Sequence, residues 1–272
     1  MKARPVWLQR LLQNSLRLVL LLLLCTAALQ IVFVARIALM NLVNPQSSTF
    51  QRSEAWRLLV EKHQIAWSQD WVDNANIAAH LKRAVITSED AGFVEHGGVD
   101  WAAIEKAWGR NQKAAERVER QAERQAERQA KRQTVRRSAK AAAAQKPVEA
   151  KVVGGSTITQ QLAKNLFLSG ERTVLRKAQE LMLTLTLEAL LSKQRILEIY
   201  LNNVEWGEGL FGAQAASRHY FGVDAARLGP EQAARLAVML PAPKRFELRP
   251  GSAYVLGRAA TIVARMGAVG LP

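Results

Sequence analysis

The first hydrophobic feature of the chain is an uninterrupted apolar run near its amino terminus. Residues 18–35 hold 18 positions without a charge, closed by Arg17 and Arg36. As a helix the run would be about 27 Å long, close to the roughly 30 Å hydrocarbon thickness of a bilayer. A buried core helix is the alternative, but the leucine and valine positions of 19–24 make the run apolar on every side. The pattern predicts a transmembrane anchor over residues 18–36.

The flanks of this run indicate that the anchor is retained and how it is oriented. Residues 26–28 are a poor cleavage site and lie inside the apolar run, and Leu24 does not suit lipid attachment at Cys25. The first 17 residues carry four basic side chains and no acidic one: Lys2, Arg4, Arg10 and Arg17. The positive-inside rule therefore predicts a cytoplasmic segment over residues 1–17, with the chain after about residue 37 outside the cytoplasm.

After the anchor the hydrophobic pattern is helical. Residues 44–48 form a break, and apolar positions then recur at helical spacing, as at Ile77, Leu81, Val85 and Ile86. No long stretch alternates with period two, and neither Asn-Gly nor Asp-Gly marks a hairpin. The expected fold class is mainly α, and residues 45–272 are expected to form one domain.

One segment differs in composition from the rest. Residues 114–133 repeat every four positions with Ala, Glu, Arg and Gln, which favour a helix. A four-residue repeat advances about 40° per step, so the alanine stripe winds around the helix and offers no flat face for packing. A basic, low-complexity helical insertion at about 110–150 is expected.

The net charge is large but local. The 272 residues carry 38 Lys+Arg and 23 Asp+Glu, a formal charge of +15, which would suit nucleic acid or an anionic membrane. Residues 110–151 alone carry 13 basic and 5 acidic side chains. Because this segment is predicted to lie outside the cytoplasm, nucleic acid is not an expected partner. The 49% apolar content excludes a disordered chain, and the single cysteine excludes a disulfide framework.

The first polar cluster follows the predicted helix that contains Leu81. Glu89 and Asp90 end that helix, and a glycine-containing turn with His96 comes next. Polar residues gathered where a helix meets a loop are a common way to build a site. An ordinary capped turn explains this segment equally well.

The second cluster begins at Gly154-Gly155 and runs into a predicted helix. Ser156 or Thr157 is a candidate N-cap, and free amides at a helix start suit an anion. Lys164 follows Gln160 by four residues and Gln161 by three, and Leu168 follows Lys164 by four, so these side chains share one face. The spacing of a Walker loop is absent.

The third cluster lies in a block of helical pattern from Arg176 to Asn203. Leu181, Leu185, Glu188 and Leu191 repeat at helical spacing and predict a face toward the core. Glu180 lies beside Arg176 and Lys177, where an exposed ion pair of little energetic consequence is the alternative to a functional site.

These clusters together resemble the peptidoglycan glycosyltransferases, which extend glycan strands from lipid II. The first cluster matches the family's E-D-x-x-F-x-x-H-x-G-x-D, the second G-G-S-T-[IL]-T-Q-Q-L-x-K-N and the third R-K-x-x-E. Two further matches are K-x-x-I-L-E-x-Y-L-N from Lys193 and a block around Arg235 and Pro241. The resemblance covers roughly residue 45 to the carboxyl end. It departs from the family at Thr184, where alanine is usual, and in the long stretch between Asp100 and Gly154.

The resemblance is closest to the monofunctional members. It implies a lysozyme-like, two-lobed α-helical domain on a single-pass inner-membrane anchor, with the catalytic domain in the periplasm. No Ser-x-x-Lys occurs, so no transpeptidase domain is expected. Lipid II, the undecaprenyl-pyrophosphate-linked glycan and the membrane are the implied partners, with other cell-wall synthesis or division proteins as further candidates.

The resemblance also implies the roles of individual residues. Glu89 corresponds to the base that activates the acceptor's 4-hydroxyl, with inversion at the donor's anomeric carbon, and Glu180 to the second important glutamate. The expected substrate-binding residues are Asp90, His96, Thr157, Gln161, Lys164, Asn165, Arg176 and Lys177. Of these, Asp90 and His96 are expected to shape the site. No cofactor is expected to be obligatory; a divalent cation, Mg²⁺ or Mn²⁺, at the pyrophosphate would have Glu180 as its candidate ligand.

Two other functions fit parts of the sequence. A lytic transglycosylase or lysozyme-like hydrolase also places a glutamate at a helix end, but it needs a protonated acid for the sugar leaving group. It has no need of the cations Lys164, Arg176 and Lys177. A membrane-anchored basic scaffold would explain the charge and leave five ordered motifs without a purpose.

Overall fold

The computed structural model describes residues 6–135, 155–171 and 173–272. Its helices are α1 (Val6–Leu39), α2 (Thr49–Lys62), α3 (Ala79–Glu89), α4 (Trp101–Val135), α5 (Ile158–Phe167), α6 (Val174–Leu190), α7 (Lys193–Asn203), α8 (Ala213–Phe221), α9 (Pro230–Met239), α10 (Pro243–Phe246) and α11 (Ala253–Met266). The mainly α fold class is confirmed. The chain forms two compact units, one from residues before Val99 and from Ile158 onward, the other from the segment between them.

The core of the first unit lies among α3, α5, α6, α7, α9 and α11. Helix α3 packs against α9 and α11, and α5 packs against α2, α6 and α7. The apolar face predicted around α3 is confirmed, since Ile77, Leu81, Val85 and Ile86 are all buried. Their burial fixes the end of α3, where the first polar cluster begins, against the rest of the core.

Helix α1 contains a segment, Gln13–Leu39, that is long and apolar enough to cross a membrane. Its leucine and valine side chains from Leu18 to Leu24 are at least half exposed, as the sides of a helix in lipid would be. Its outer end is built into the core instead: Ile37 and Met40 are buried, and the Arg195 guanidinium donates to the Met40 carbonyl at 2.8 Å. Helix α1 and the helical core are therefore one packed structure at this end.

A three-stranded sheet lies beside α8, and the sequence patterns did not predict it. Its strands are β1 (Ser68–Gln69), β2 (Glu205–Gly207) and β3 (Leu210–Phe211), in the order β1-β3-β2, with β1 parallel and β2 antiparallel to β3. The turn before β3 depends on Gly209, whose φ is +68° and whose missing side chain leaves room for the Ala66 carbonyl. The strands are too short to show an alternating pattern.

The apolar face of α6 differs from the predicted stripe. Leu183, Leu187 and Leu191 are buried, whereas Leu185 is 50% exposed. The leucine-rich sequence allows two stripes at helical spacing, and packing against α5 selects the one that contains Leu183. The prediction of a core position at Leu185 was wrong.

The second unit is built on the 35-residue helix α4. Asp100 caps it, since its carboxylate accepts a hydrogen bond from the Ala103 amide at 2.8 Å. Residues 114–133 lie within α4, which begins nine residues before position 110, and the rest of the predicted insertion, at 136–150, lies outside the described residues. Five exposed basic side chains fall within about 60° of arc at 100° per residue. They form what we term the basic stripe: Lys106, Lys113, Arg117, Arg120 and Arg124.

Candidate active site

Glu89, the predicted base, is the last residue of α3 and is held by α5. The Gln161 side-chain amide donates to Glu89 Oε2 at 2.9 Å, and the Tyr200 hydroxyl donates to Gln161 Oε1 at 3.0 Å. Tyr200 is buried in α7. The three side chains form a hydrogen-bonded line that fixes the orientation of the carboxylate.

The surroundings of Glu89 make its carboxylate more basic than usual. Burial raises the pKa of Glu89; the hydrogen bond from Gln161 opposes this, and the neighbouring Asp90 charge adds to it. Burial also raises the pKa of Tyr200, with Glu89 and Asp90 acting in the same direction, so this hydroxyl stays protonated and remains a donor. A carboxylate with a raised pKa suits a general base that works near neutral pH.

Asp90 and His96 shape the loop that follows Glu89. Asp90 accepts a hydrogen bond from the His96 ring Nε2 at 2.8 Å with one oxygen, and from the Ile158 amide at 3.0 Å with the other. Because His96 Nδ1 accepts a hydrogen bond from the Gly98 amide at 3.1 Å, the ring N–H that donates to Asp90 is on Nε2. These bonds tie the loop to the start of α5. The Ile158 amide is thus occupied by Asp90, and the expected anion site on free helix amides is wrong there.

A second polar network supports the loop after Glu89, with side chains from α5, α6 and α7. Glu188 accepts hydrogen bonds from the Thr159 hydroxyl at 2.5 Å and from Lys193 Nζ at 2.8 Å, and Lys193 also donates to the His96 carbonyl at 2.6 Å. The Lys193 ammonium lies 4.6 Å from the centre of the Phe93 ring. Buried ionic groups are stable only when paired in this way, so this network holds the loop in one conformation.

The predicted cations gather around Glu180. This carboxylate is 3% exposed, and it pairs with Arg176 at 2.9 Å and with Lys177, both within one turn on α6. The alternative of an exposed ion pair is therefore wrong for the carboxylate. Desolvation lowers the pKa of Lys164; the Glu180 charge opposes this, and Arg176 and Lys177 reinforce it. Three cations around one carboxylate leave a net positive region.

Helix α5 joins the base to these cations. Gln161, which holds Glu89, and Lys164, which lies in the field of Glu180, are three residues apart on α5. Three residues correspond to a rise of about 4.5 Å, and positions i and i+3 share one helix face. A reacting sugar beside Glu89 and an anionic leaving group beside Lys164 would therefore be neighbours.

Two predicted residues have less defined surroundings. Thr157 directly precedes α5, and Asn165 is half-buried on that helix, next to Lys164. The residues that the site prediction omitted are Tyr200, Thr159 and Lys193, although each lies within a recognised motif. Their helical spacing looks like core packing, and only the fold shows which of their polar groups point toward Glu89 or its loop.

The structure also bears on the expected divalent cation. Both oxygens of Glu180 are engaged by Arg176 and Lys177, which is unlike the open carboxylate that binds Mg²⁺. In the part of the chain that is described, no group of three or more His, Cys, Asp or Glu residues could hold a metal ion. The side chains around Glu180 do not fit a resident cation.

Comparison with known proteins finds a family that matches most of the chain. The family described as transglycosylase matches residues 59–144 and 127–267. A protein of Burkholderia orbicola (strain MC0-3) named biosynthetic peptidoglycan transglycosylase is 46% identical over 245 residues, covering 90% of this chain and 86% of its own length. A protein of the same name from Paraburkholderia phytofirmans (strain DSM 17436 / LMG 22146 / PsJN) is 45% identical, covering 90% and 88%.

Proposed function

The chain belongs to the transglycosylase family, and from this premise we propose that it polymerises lipid II into peptidoglycan glycan strands. The observation that supports this most directly is the spacing on α5: Gln161, which holds the Glu89 carboxylate, lies one turn from Lys164, which lies in the field of Glu180, Arg176 and Lys177. This is the arrangement that transfer from a lipid pyrophosphate needs, because the leaving group is already an anion and requires cations rather than a proton.

In the proposed reaction, Glu89 acts on the acceptor. Its carboxylate takes the proton from the 4-hydroxyl of the acceptor GlcNAc while that oxygen forms a bond to the anomeric carbon of the donor chain. Attack from the face opposite the leaving group inverts the anomeric configuration. Gln161 and Tyr200 act as positioning residues, since they hold the carboxylate and carry no proton through the reaction.

The leaving group is stabilised at the other end of the site. The bond from the anomeric carbon to the pyrophosphate breaks, and the electron pair leaves on the phosphate oxygen. Lys164, Arg176 and Lys177 stabilise this charge electrostatically in a partly desolvated site. Glu180 holds Arg176 and Lys177 in place through ion pairs, and its negative charge offsets part of the cluster's positive charge.

We propose that α1 spans the membrane in which the lipid-linked substrate lies. A helix long and apolar enough to span, four basic residues before its charge-free run at 18–35 and the substrate's lipid tail together support a single-pass anchor in the bacterial inner membrane. The amino terminus would be cytoplasmic and the catalytic domain periplasmic. A two-lobed, lysozyme-like shape is part of the same proposal.

The lytic alternative uses the same polymer and also suits a glutamate with a raised pKa, acting as an acid. It gives no role to the cations around Glu180, which a neutral sugar leaving group does not require. A non-enzymatic scaffold leaves the ordered Glu89–Gln161–Tyr200 line without a purpose. Polymerisation is the function that uses both features.

The test is incubation of the full-length protein, in vesicles, with labelled lipid II, and separately with finished peptidoglycan sacculi. Polymerisation predicts long labelled glycan chains from lipid II and no soluble fragments from sacculi. Soluble fragments from sacculi without chain growth would support the lytic alternative. No product from either substrate would support the scaffold.

A further inference from the structure

The membrane-spanning helix runs beside α6 and in the same direction. The side chains of Gln30 and Gln179 exchange two hydrogen bonds, at 2.9 and 3.3 Å, and the Asn41 side chain donates to the Leu190 carbonyl at 3.0 Å. Both pairs are separated by 149 residues in the sequence. The eleven-residue step from Gln30 on α1 to Asn41 in the turn that follows it, about 16 Å at helical rise, is thus matched by eleven residues of α6, so α1 and α6 run in the same direction and nearly parallel.

The glutamine pair lies in an otherwise apolar stretch of α1. Gln30 comes five residues, or about 7.5 Å, before the end of the charge-free run at Ala35. An unpaired amide in an apolar interface is costly, so Gln30 strongly prefers the one position of α6 that satisfies both its donor and its acceptor. A single polar pair in an apolar interface is a well-attested way to fix register.

The other contacts near this pair would tolerate sliding. Phe33 and Phe167 meet edge to face at 5.5 Å, and Arg36 lies 5.3 Å from the Phe167 ring centre. Ring contacts of this kind persist over small shifts, whereas a two-bond amide pair does not. The register of α1 against α6 here is therefore set by Gln30 and Gln179.

We propose that Gln30 and Gln179 are positioning residues for the lipid-linked substrate, and this proposal rests on the polymerase function proposed above. Gln179 directly precedes Glu180, the carboxylate that holds Arg176 and Lys177. By fixing the position and rotation of α6 along the anchor, the glutamine pair fixes where these cations lie relative to the end of the charge-free run, and so where they can meet the substrate's pyrophosphate. The anchor is then part of the substrate site as well as a tether.

The experiment replaces each glutamine with methionine, which has a similar length and no hydrogen-bonding amide. The wild type, Gln30→Met, Gln179→Met and the double variant are compared as lipid II polymerases in vesicles. Thr26→Val and Thr186→Val are matched controls on the same two helices, because each hydroxyl bonds only to its own helix, at the carbonyls of Leu22 and Met182.

Each single variant is expected to raise KM for lipid II about 3- to 10-fold and to leave kcat within about twofold of the wild type. The effect is small because a side-chain hydrogen bond between membrane helices contributes little free energy. It falls on KM because the pair positions the substrate-binding cations and does not take part in the bond changes. The double variant should be no worse than either single one, since both lose the same contact. Unchanged kinetics, additive effects, or a fall in kcat that accompanies loss of thermal stability would each overturn the proposal.

Chemical cross-linking tests the contact without relying on activity. With Cys25 replaced by alanine, Gln30→Cys with Gln179→Cys should be joined by a short bifunctional thiol reagent in membranes, and Leu29→Cys with Gln179→Cys should not. Equal or absent cross-linking would overturn the proposal. Cross-linking of the double-cysteine variant in this way, together with a wild type that makes no glycan, would instead refute the polymerase function.

Discussion

Asp90 caps the first turn of α5 by accepting a hydrogen bond from the Ile158 amide at 3.0 Å. Its other oxygen holds the His96 ring at 2.8 Å, so one carboxylate joins the loop after Glu89 to the helix that carries Gln161 and Lys164. The base and the cations thus keep their relative positions through a residue that takes no part in the bond changes.

Replacing Asp90 with alanine should therefore damage both stability and activity. An unsatisfied amide and a released imidazole should cost about 1–3 kcal/mol in the free energy of unfolding. Asp90→Asn, which retains an acceptor oxygen, should be milder. Thermal unfolding and polymerisation rates of the two variants provide the check; equal behaviour of the two would contradict this role.

Gly98 should not tolerate a side chain. Its φ is +87°, and a β-carbon would come within 2.7 Å of Glu188 Cγ and 2.8 Å of Thr184 Cγ2. Gly98→Ala should lose about 2–4 kcal/mol of stability, from left-handed strain and overpacking together. Gly97→Ala is the control, because a β-carbon there meets nothing within 4 Å and should change stability by less than about 0.5 kcal/mol. Denaturant unfolding that ranks the two variants equally would refute this explanation.

The stability of the protein should depend on pH through Glu205. Burial raises the pKa of Glu205 from 4.5 to about 7; Lys244, 3.5 Å away, opposes this shift, while Glu54, which shares that lysine at 2.6 Å, adds to it. Between pH 4.5 and 7 the unfolded chain releases this proton and the folded one keeps it, so stability falls as pH rises through this window.

Glu205→Gln should remove that dependence. The variant should be more stable than wild type above pH 7, by up to about 3 kcal/mol at 1.36 kcal/mol per pKa unit, and little changed near pH 4.5. Thermal unfolding measured from pH 4.5 to 8 is the check. A difference between the two proteins that does not vary with pH would rule out titration of Glu205 as its cause.

The basic stripe on α4 should promote activity on anionic membranes. Each basic side chain near such a surface contributes about 1 kcal/mol, screened by salt. Changing Lys113, Arg117, Arg120 and Arg124 to glutamine should abolish any gain in polymerisation that anionic vesicles give over neutral ones. Serine at Gln112 and Gln121, which are exposed and uncharged, is the control. If anionic vesicles raise polymerisation as much in the stripe variant as in wild type, the prediction is contradicted. Unchanged activity after deletion of residues 112–146 would contradict it as well.

Much of the candidate site could be proposed from the sequence because its residues lie in ordered motifs. The structure brings Glu89 and Gln161 into contact and places Gln161 and Lys164 on one face of α5, as their spacing indicated; their roles in a reaction stay predictions. The Tyr200 hydrogen bond to Gln161 was not foreseen, because Tyr200 lies in an apolar stretch and its hydroxyl meets Gln161 only when α7 packs on α5. Contacts between distant segments cannot be read from local periodicity.

The errors in the fold have the same origin. Leu185 and Leu183 fit helical stripes equally well, and only the neighbours of α6 decide which is buried. The alternative of an exposed ion pair at Glu180 was wrong because burial of its carboxylate is set by the surrounding helices rather than by Arg176 and Lys177. The capping of the Ile158 amide by Asp90, 68 residues earlier, is likewise a tertiary contact.

The identity of the base is tested most directly by Glu89→Gln, with Glu95→Gln, an exposed carboxylate in the following loop, as its matched control. Polymerisation of labelled lipid II in vesicles by the wild type should slow as pH falls through the raised pKa of Glu89, since the base must be ionised. Glu89→Gln should reduce kcat by about 10²- to 10⁴-fold at every pH, while Glu95→Gln should match wild type. A Glu89→Gln enzyme that polymerises within tenfold of the wild type would contradict the assignment of this carboxylate as the base.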